Sequence, residues 1–303
     1  MLLDAATRLL VLAPHPDDET IAAGGLIQQV RAAGGEVRIV QVTDGDNNPW
    51  PQRWLERRVR IDAKARQRWG RRRRQEAEHA ARQLGVPAEA LHALGWPDGE
   101  LTAKLQRDHA AMLAAFRDEL DAYRPNLLVL PSLADRHPDH GSLHVLMRLA
   151  LHAQAGRPQL LAYLVHGEAM PGTQWLDVPM SAEPQANKLM ALAAYRTQMA
   201  LSGGRMRALA SRPERYEVVD PERAEVEPIL PWRPAAWLRP WLRLMLVDTA
   251  GAQDWRWRDA PLQREADGSW RLLVPRAQGP RFVRLHVELP SPWIFDHWGW
   301  REL

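Results

Sequence analysis

Residues 9–20 constrain the fold of this chain more than any other stretch. An apolar run from Leu9 to Ala13 stops at a Pro-His-Pro-Asp-Asp sequence, and a pattern with helical spacing begins at about Glu19. Pro14 and Pro16 fix their own φ angles and hold the residues before them extended, so the turn is stiff. The stretch therefore predicts a buried strand, a rigid turn and a helix.

The turn carries side chains that can bind a metal ion or transfer a proton. His15 and Asp18 offer an imidazole and a carboxylate, which are both zinc ligands. Ligands of open α/β sheets bind beyond the carboxyl ends of the strands, where this turn would lie. The alternative is that Asp17 or Asp18 only caps the helix that follows.

A second stretch repeats this context further along the chain. The apolar run 126–131 is followed by Asp-Arg-His-Pro-Asp-His at residues 135–140. A single histidine is usually a satisfied core residue, whereas two His-Pro-Asp loops that each follow a strand favour one shared metal site. On a helix His140 and His144 share a face, so spacing alone leaves both as candidates for a third ligand. His166 ends another apolar run and could face the site, although an exposed or hydrogen-bonded residue at a strand end is the favoured interpretation.

The two histidine loops resemble those of the LmbE-like / PIG-L family of zinc-dependent N-acetylglucosaminyl deacetylases. The resemblance covers about residues 7–200 and includes further segments at residues 43–46, 73–76, 95–99 and 188–198. Family position favours His140 over His144. The expected ligands of a catalytic zinc ion (Zn²⁺), or of another divalent ion such as Fe²⁺, are His15, Asp18 and His140, with one position open for water.

With that ligand set, Asp17 is free to point at the metal-bound water and is the expected general base. We expect a protonated His137 to stabilise the oxyanion that forms on an acetamide carbonyl, with Asp139 holding its ring and keeping it charged. The resemblance implies that the sugar is held by Arg73, Asp98 and, as a weaker candidate, Asp46. The expected reaction removes acetyl from an N-acetylated amino sugar. The alternatives are an amidase for another N-acyl substrate and a non-catalytic protein that binds carbohydrate or nucleic acid.

Strands alternate with helices up to about residue 200, which predicts a Rossmann-like α/β fold with a doubly wound, mostly parallel sheet. After about Arg212 the pattern changes: nine of the 14 tryptophans lie beyond residue 230, among strand-like segments at 241–247 and 281–287. We therefore expect a catalytic domain at residues 1–212 and a Trp-rich β region at 213–303. Its tryptophans either form a core or stack on sugars, and the resemblance does not reach them.

Positive charge is concentrated between Arg53 and Arg74. This segment contains eleven Lys and Arg residues and only two acidic residues, Glu56 and Asp62, whereas the whole chain has a formal charge of +3. We expect helices at 52–69 and 71–84 here. The surface is either a solvated helix face or a binding surface for a phosphate-bearing sugar substrate or anionic lipid head groups. Nucleic acid is the least favoured partner, because no recognised nucleic-acid module accompanies the charge.

The absence of cysteine excludes disulfides, thiolate zinc sites and cysteine nucleophiles. No apolar run approaches the ~18–20 residues that span a bilayer, and the first strand begins too early for a signal peptide to precede it. We expect a cytoplasmic protein. Peripheral membrane contact through the Trp- and Arg-rich residues 230–243 is the alternative, and the sequence favours no oligomeric state.

Overall fold

The structure is a computed structural model that describes residues 2–152, 154, 156–169, 172–220, 228–275, 278–288 and 295–303. Within these ranges the strands are β1 (Arg8–Ala13), β2 (Glu36–Thr43), β3 (Leu91–Trp96), β4 (Leu127–Pro131), β5 (Gln159–Tyr163), β6 (Trp175–Val178), β7 (Glu214–Val219), β8 (Leu242–Asp248), β9 (Gly251–Arg256), β10 (Leu262–Arg264), β11 (Trp270–Leu272), β12 (Phe282–Val287) and β13 (Gly299–Glu302). The helices are α1 (Asp18–Ala32), α2 (Pro49–Glu56), α3 (Ala63–Gln83), α4 (Leu101–Arg107), α5 (His109–Tyr123), α6 (Pro138–His152), α7 (Ala182–Ala193) and α8 (Arg196–Ala210).

A seven-stranded sheet forms the centre of the fold, in the order β3-β2-β1-β4-β5-β7-β6. The first five strands of this order pair in parallel, and β7 pairs antiparallel with both β5 and β6. The apolar run in β1 and the whole of β4 are buried, as expected for strands covered by helices on both faces. The predicted doubly wound, mostly parallel α/β sheet is confirmed.

The strand order places the two histidine loops side by side. The chain leaves β1 toward β2 and β3 on one side, then returns to add β4 and β5 on the other side. Neighbouring β1 and β4 are in register, with Leu9 opposite Leu127 and Val11 opposite Val129. Both loops therefore emerge at the point where the strand order reverses, which is where ligands bind in such sheets.

A second, antiparallel sheet lies near the C-terminus, in the order β13-β12-β8-β9, together with a β10–β11 pair. This confirms the predicted strands at 241–247 and 281–287. Trp300 and Trp257 are buried, which supports a packing role for them, whereas Trp237 is 74% exposed. Trp293, another of the nine, lies outside the described residues. Apolar side chains of β8, β12 and β13 share a core with those of α4, α5 and α6.

Strand β7 lies beyond residue 212, the predicted domain boundary, and still belongs to the central sheet. Its first residue, Glu214, accepts hydrogen bonds from the amides of Gly25 (2.7 Å) and Leu26 (2.9 Å) in α1 and forms a buried ion pair with Lys188 of α7 (2.6 Å). The division into 1–212 and 213–303 stays a prediction, and the central sheet uses residues on both sides of it.

The sequence placed the break between two helices, at 52–69 and 71–84, in the wrong position. The chain leaves the helical conformation after Glu56, and α3 then runs without interruption through Gly70. Asp62 begins α3 because its carboxylate accepts a hydrogen bond from the amide of Ala65 (2.7 Å). Gly70 lies where α3 packs closely against the loop after β2: a Cβ there would lie 3.0 Å from the Cβ of Asp44.

Among the described residues, no helix combines the length and the apolar character that crossing a membrane requires.

Candidate metal centre

The three side chains expected to bind a metal converge between the two histidine loops. Oδ2 of Asp18 lies 3.3 Å from Nδ1 of His15 and 3.3 Å from Nε2 of His140. The centroids of the two imidazole rings are 5.5 Å apart. Asp18 and His140 are buried, and His15 is partly buried. Oδ2 of Asp18 thus lies against one nitrogen of each ring. Among the described residues, three sets have ligand atoms that all lie within 4.8 Å of one another: His15 with His137 and His140, Asp18 with His140 and His166, and His15 with Asp98 and Asp139.

The environment of His140 fits a bound cation. Its side chain is fully buried, yet neither ring nitrogen has a well-oriented hydrogen-bond partner among the described residues. Such a group is costly to bury, and a divalent ion on Nε2 would satisfy it. The carboxylate of Asp135 lies 3.2 Å from Nδ1, on the far side of the ring. Imidazoles and a carboxylate suit zinc or Fe²⁺.

The carboxylates around His15 and His140 favour the binding of positive charge, whether protons or a metal ion. Burial lowers the pKa of His140, but the carboxylates of Asp135 and Asp18 outweigh it and raise that pKa to about 10. In the same way, Asp98, Asp139 and Asp18 outweigh burial and hold the pKa of His15 well above its usual range. Burial raises the pKa of Asp18, and the two imidazoles outweigh it and lower that pKa well below its usual range. The protons that these rings bind are those that a metal ion displaces.

Asp17 lies in the turn between His15 and Asp18 and makes its own set of contacts. It occupies the N-cap position of α1 with a φ of 119°, a left-handed conformation that is strained for a residue other than glycine. Its carboxylate makes no cap hydrogen bond, so the expected alternative of a simple helix cap is wrong for Asp17. Instead Oδ2 accepts from Nε2 of Gln198 (3.0 Å) and lies 3.4 Å from Nη2 of Arg73. Burial and the charge of Asp18 raise the pKa of Asp17 to about 7, against the lowering effect of Arg73.

Arg73, an expected sugar-binding residue, is 2% exposed and holds the first histidine turn in place. Its guanidinium donates to the carbonyl oxygens of Pro16 (2.8 Å) and Gly45. A Cβ at Gly45 would clash with this guanidinium, which explains the glycine. The geometry assigns Arg73 to the turn and to Asp17, and sugar binding by Arg73 stays a prediction.

Two carboxylates contact the outer nitrogen of His15. Oδ1 of Asp98, expected to bind sugar, lies 3.1 Å from Nε2 of His15, and Oδ2 of Asp139 lies 3.2 Å from the same atom. Asp139 also accepts from the amides of Gly99 (2.8 Å) and Leu101 (3.1 Å) at the start of α4. Both carboxylates therefore orient a proposed metal ligand.

Asp46, the third expected sugar-binding residue, is the most accessible of the three. Its carboxylate lies 3.8 Å from Nε of Arg66 and remains partly exposed. Burial and neighbouring Asp98 raise the pKa of Asp46, while Arg66 opposes this rise. Asp46 can therefore still meet a ligand, and its role stays a prediction.

The expectation of a protonated His137 held by the carboxylate of Asp139 is wrong. That carboxylate contacts His15, and only the backbone N–H of Asp139 reaches His137, donating to Nδ1 (3.2 Å). Burial, together with the neighbouring charges of His15 and His140, lowers the pKa of His137 to about 3. The ring is therefore neutral. Since Nδ1 accepts a hydrogen bond, Nε2 carries the proton.

His144 lies outside the cluster. Its Nδ1 makes a hydrogen bond of 2.8 Å with the carbonyl oxygen of Pro131, and its ring packs 6.3 Å from that of Phe282. Burial and the charge of Arg148 lower the pKa of His144 to about 3. His144 is thus a neutral core residue, and it is not a rival ligand in this structure.

Two residues at the site, Asp135 and Phe295, were missed by sequence reasoning, and a third, His166, was considered but not favoured. Asp135 accepts from the amides of His137 (2.9 Å), Val165 (3.0 Å) and His166 (2.9 Å) in addition to contacting His140. His166 can join Asp18 and His140 as a third potential metal-binding side chain. Its position after β5, the next strand of the sheet, was the available signal. Phe295 contacts His137 and His166, and no local motif marks it.

Comparison with known proteins agrees with this geometry. Residues 10–153 match the model of the family described as PIG-L: GlcNAc-PI de-N-acetylase. Similar curated proteins include the 1D-myo-inositol 2-acetamido-2-deoxy-alpha-D-glucopyranoside deacetylase of Mycobacterium avium, 33% identical over 151 residues (44% of this chain, 47% of that protein). The enzyme of the same name from Mycolicibacterium gilvum is 32% identical over 165 residues (49% of this chain, 55% of that protein). The chain thus spans about half the length of the curated relatives it matches.

Solved structures share the fold of the central sheet. The conserved protein TT1542 from Thermus thermophilus superposes with a TM-score of 0.52 at 25% identity, covering 77% of this chain and 100% of that one. N,N'-diacetylchitobiose deacetylase from Pyrococcus horikoshii superposes with a TM-score of 0.53 at 20% identity, covering 71% of this chain and 85% of that one. The match to a PIG-L (LmbE-like) family domain thus covers residues 10–153, which contain both histidine loops.

Proposed function

We propose that this protein is a metal-dependent hydrolase that removes the acetyl group from an N-acetylated amino sugar. One observation carries the proposal: Oδ2 of Asp18 lies 3.3 Å from a ring nitrogen of both His15 and His140, and the carboxylate of neighbouring Asp17 contacts Gln198 instead. The names of the curated relatives support a glucosamine-type substrate.

His15, Asp18 and His140 would hold the ion through Nδ1, a carboxylate oxygen and Nε2, respectively. Zinc is the proposed ion, with Fe²⁺ as the alternative that the same ligands accept. When the ion is bound, the chemistry supplied is polarisation of a water molecule and of the amide carbonyl. Asp98, Asp139 and Asp135 fix the outer nitrogens of the two imidazoles, so the ligand atoms are oriented in advance.

Asp17 accepts the proton of the attacking water and later returns it to the amine that leaves. Gln198 and Arg73 hold its carboxylate in one orientation. A carboxyl group is an effective acid and base when its pKa lies near the working pH.

His137 stabilises the oxyanion as a neutral donor. Its Nδ1 accepts the backbone N–H of Asp139, so the Nε2–H group is available to an oxygen of the substrate. A neutral imidazole in this role avoids placing a further positive charge beside the metal ligands. This replaces the protonated His137 that we expected from the sequence.

We further propose that the sugar is linked to a phosphate-bearing group. The basic segment borders the site, because Arg66 and Arg74 pair with Asp46 and Asp44 in the loop after β2. Other cations of this segment, namely Arg57, Arg58, Arg60 and Lys64, are exposed and form no ion pair among the described residues. An anionic carrier would meet these charges.

Peripheral contact with a membrane from the cytoplasmic side remains part of the proposal. Trp50 and Trp54 of α2 are exposed next to these cations, and Trp237 and Trp241 are exposed within the Trp- and Arg-rich residues 230–243. Tryptophan beside arginine suits the interface of an anionic bilayer.

The test is release of acetate and free amine from N-acetylglucosamine, its 1-phosphate and its inositol glycoside by protein loaded with zinc or Fe²⁺. Hydrolysis of at least one of these, with the phosphate-bearing sugar preferred, is expected. Hydrolysis of other N-acyl compounds alone would favour the amidase alternative. Failure on every N-acyl compound by metal-loaded, folded protein would contradict the proposal.

A further inference from the structure

The C-terminal sheet is fastened to the helix that carries His140. Gly141 follows His140 in α6, and a Cβ at this position would lie 2.4 Å from Cδ1 of Trp300 in β13. About two turns further along α6, buried Arg148 pairs with Glu302 of β13 (2.7 Å). The position of the sheet on α6 is therefore fixed by close packing and by a buried ion pair.

A short segment ahead of β13, residues 295–296, lies against the second histidine loop. The amide of Asp296 donates to the carbonyl oxygen of Arg136 (2.8 Å), and Nε of Arg136 donates to the carbonyl oxygen of Asp296 (3.1 Å). The carboxylate of Asp296 accepts from Nε of Arg284 in β12 (2.8 Å), and both side chains are largely buried. Asp296 thus ties the segment to the residue before His137 and to the C-terminal sheet at once.

This attachment places Phe295 at the site. Its ring centroid lies 6.0 Å from that of His137, with an interplanar angle of 80°, and 5.3 Å from that of His166. The edge-to-face contact with His137 has a geometry that is favourable for aromatic rings. The other side of the cluster, around His15, is lined by the carboxylates of Asp98 and Asp139. Phe295 therefore supplies an apolar surface next to His137, whereas the carboxylates of Asp98 and Asp139 make the surroundings of His15 polar.

We infer that the C-terminal region completes the substrate pocket, and that Phe295 forms the wall of an acyl subsite that accepts acetyl and excludes longer acyl chains. The inference rests on the proposed function, in which Nε2 of His137 donates to the acyl oxygen. An acyl group bound in that way has its alkyl end within reach of a ring that contacts His137. The alkyl end is also the apolar part of the substrate at the reacting bond, and an aromatic wall matches it.

The experiment compares kcat/KM for N-acetyl-, N-propionyl- and N-butyrylglucosamine in metal-loaded wild type, Phe295→Ala and Phe295→Leu. Truncation to Ala opens space, so the butyryl-to-acetyl ratio of kcat/KM should rise by about tenfold or more. Phe295→Leu should give a smaller rise in this ratio, and it provides the test if Phe295→Ala does not fold. Trp237→Ala removes an exposed tryptophan of the same region and should leave the ratio unchanged.

Binding provides a second readout that does not depend on turnover. In an Asp17→Asn background, calorimetric titration with the same three sugars should show the same change in relative Kd when Phe295 is truncated. An unchanged ratio in both assays, with acetyl hydrolysis intact, would overturn the acyl subsite and leave the proposed function standing. Loss of activity on all acyl lengths in wild type would instead refute the proposed function.

Discussion

Loops of the central sheet hold His15, whereas His140 is held by Asp135 on one side and, through α6, by the C-terminal sheet on the other. Among the described residues, Nε2 of His15 meets two carboxylates, those of Asp98 and Asp139, and Nδ1 of His140 meets one, that of Asp135. The first ring is partly exposed and the second is fully buried. The two halves of the cluster thus use the same device, a carboxylate behind an imidazole, but they depend on different parts of the chain.

The difference shows how a family domain and a region outside the matched residues come to share one site. Residues 10–153 contain both histidine loops. Trp300, Glu302 and Phe295 lie far beyond them in sequence and contact the His140 side. The His15 side should therefore respond mainly to changes in the central sheet, and the His140 side to changes in either region.

The largest expected effect comes from substitution of Asp17, the proposed general base. Asp17→Asn keeps the size of the side chain and its contact with Gln198 but removes the base, so kcat should fall by about 10³-fold. Metal content should stay at the wild-type level, because Asp17 is not a proposed ligand. Asp108→Asn, which changes a partly exposed carboxylate paired with Lys104, should keep wild-type kcat. A kcat for Asp17→Asn within tenfold of wild type would contradict the assignment.

Trp300→Ala tests whether the C-terminal sheet supports the His140 side. Removing this buried indole leaves a cavity against α6, so the free energy of unfolding should fall by about 3–5 kcal/mol. Urea denaturation measures it, with Trp237→Ala as the matched control that should change stability by less than about 0.5 kcal/mol. If the two substitutions lowered the free energy of unfolding equally, the C-terminal sheet would not share a core with α6.

Asp135→Asn and Asp139→Asn compare the two halves directly. Loss of a carboxylate behind a metal-binding imidazole weakens metal binding by about 10–100-fold. Asp135→Asn should have the larger effect, because His15 keeps Asp98 when Asp139 is changed whereas His140 has no such second carboxylate among the described residues. Competition with a chelating dye gives both affinities. A larger loss for Asp139→Asn would reverse the comparison.

The smallest expected effect is a shift in the pH profile. Burial and Asp18 raise the pKa of Asp17 to about 7, and Arg73 lowers it. Only the ionised carboxylate accepts a proton, so kcat/KM should fall as the pH drops below that value. Arg73→Met removes the opposing positive charge, so the pKa of Asp17 should rise and the acid limb should move to higher pH. A limb that stays in place or moves to lower pH would contradict the role of Arg73.

The sequence predicted those parts of the fold and site that depend on local patterns. Apolar runs ending at His-Pro-Asp gave β1, β4 and their loops, and parallel strand order then brought the loops together. The helix break was misplaced because Gly70 serves packing against Asp44, which no local pattern reveals. The charge predicted for His137 was wrong for a similar reason. Burial and the charges of His15 and His140 lower its pKa, and contacts between elements bring these residues beside it.

Residues joined to the site only by tertiary contacts could not be predicted. Asp135 had no role from spacing, although it accepts three backbone amides and contacts His140. Phe295 reaches the site because Asp296 binds Arg136 and Arg284, two residues from different layers of the fold. Such contacts join residues that lie far apart along the chain, so periodicity and short motifs carry no trace of them.

The most direct test of the central claim is metal content, measured by plasma mass spectrometry on wild type, His140→Ala and His144→Ala purified without added metal. We expect about one equivalent of a divalent ion in wild type, loss of that ion in His140→Ala and retention in His144→Ala. Wild-type metal content in His140→Ala, or loss confined to His144→Ala, would contradict the convergence of His15, Asp18 and His140 on one ion.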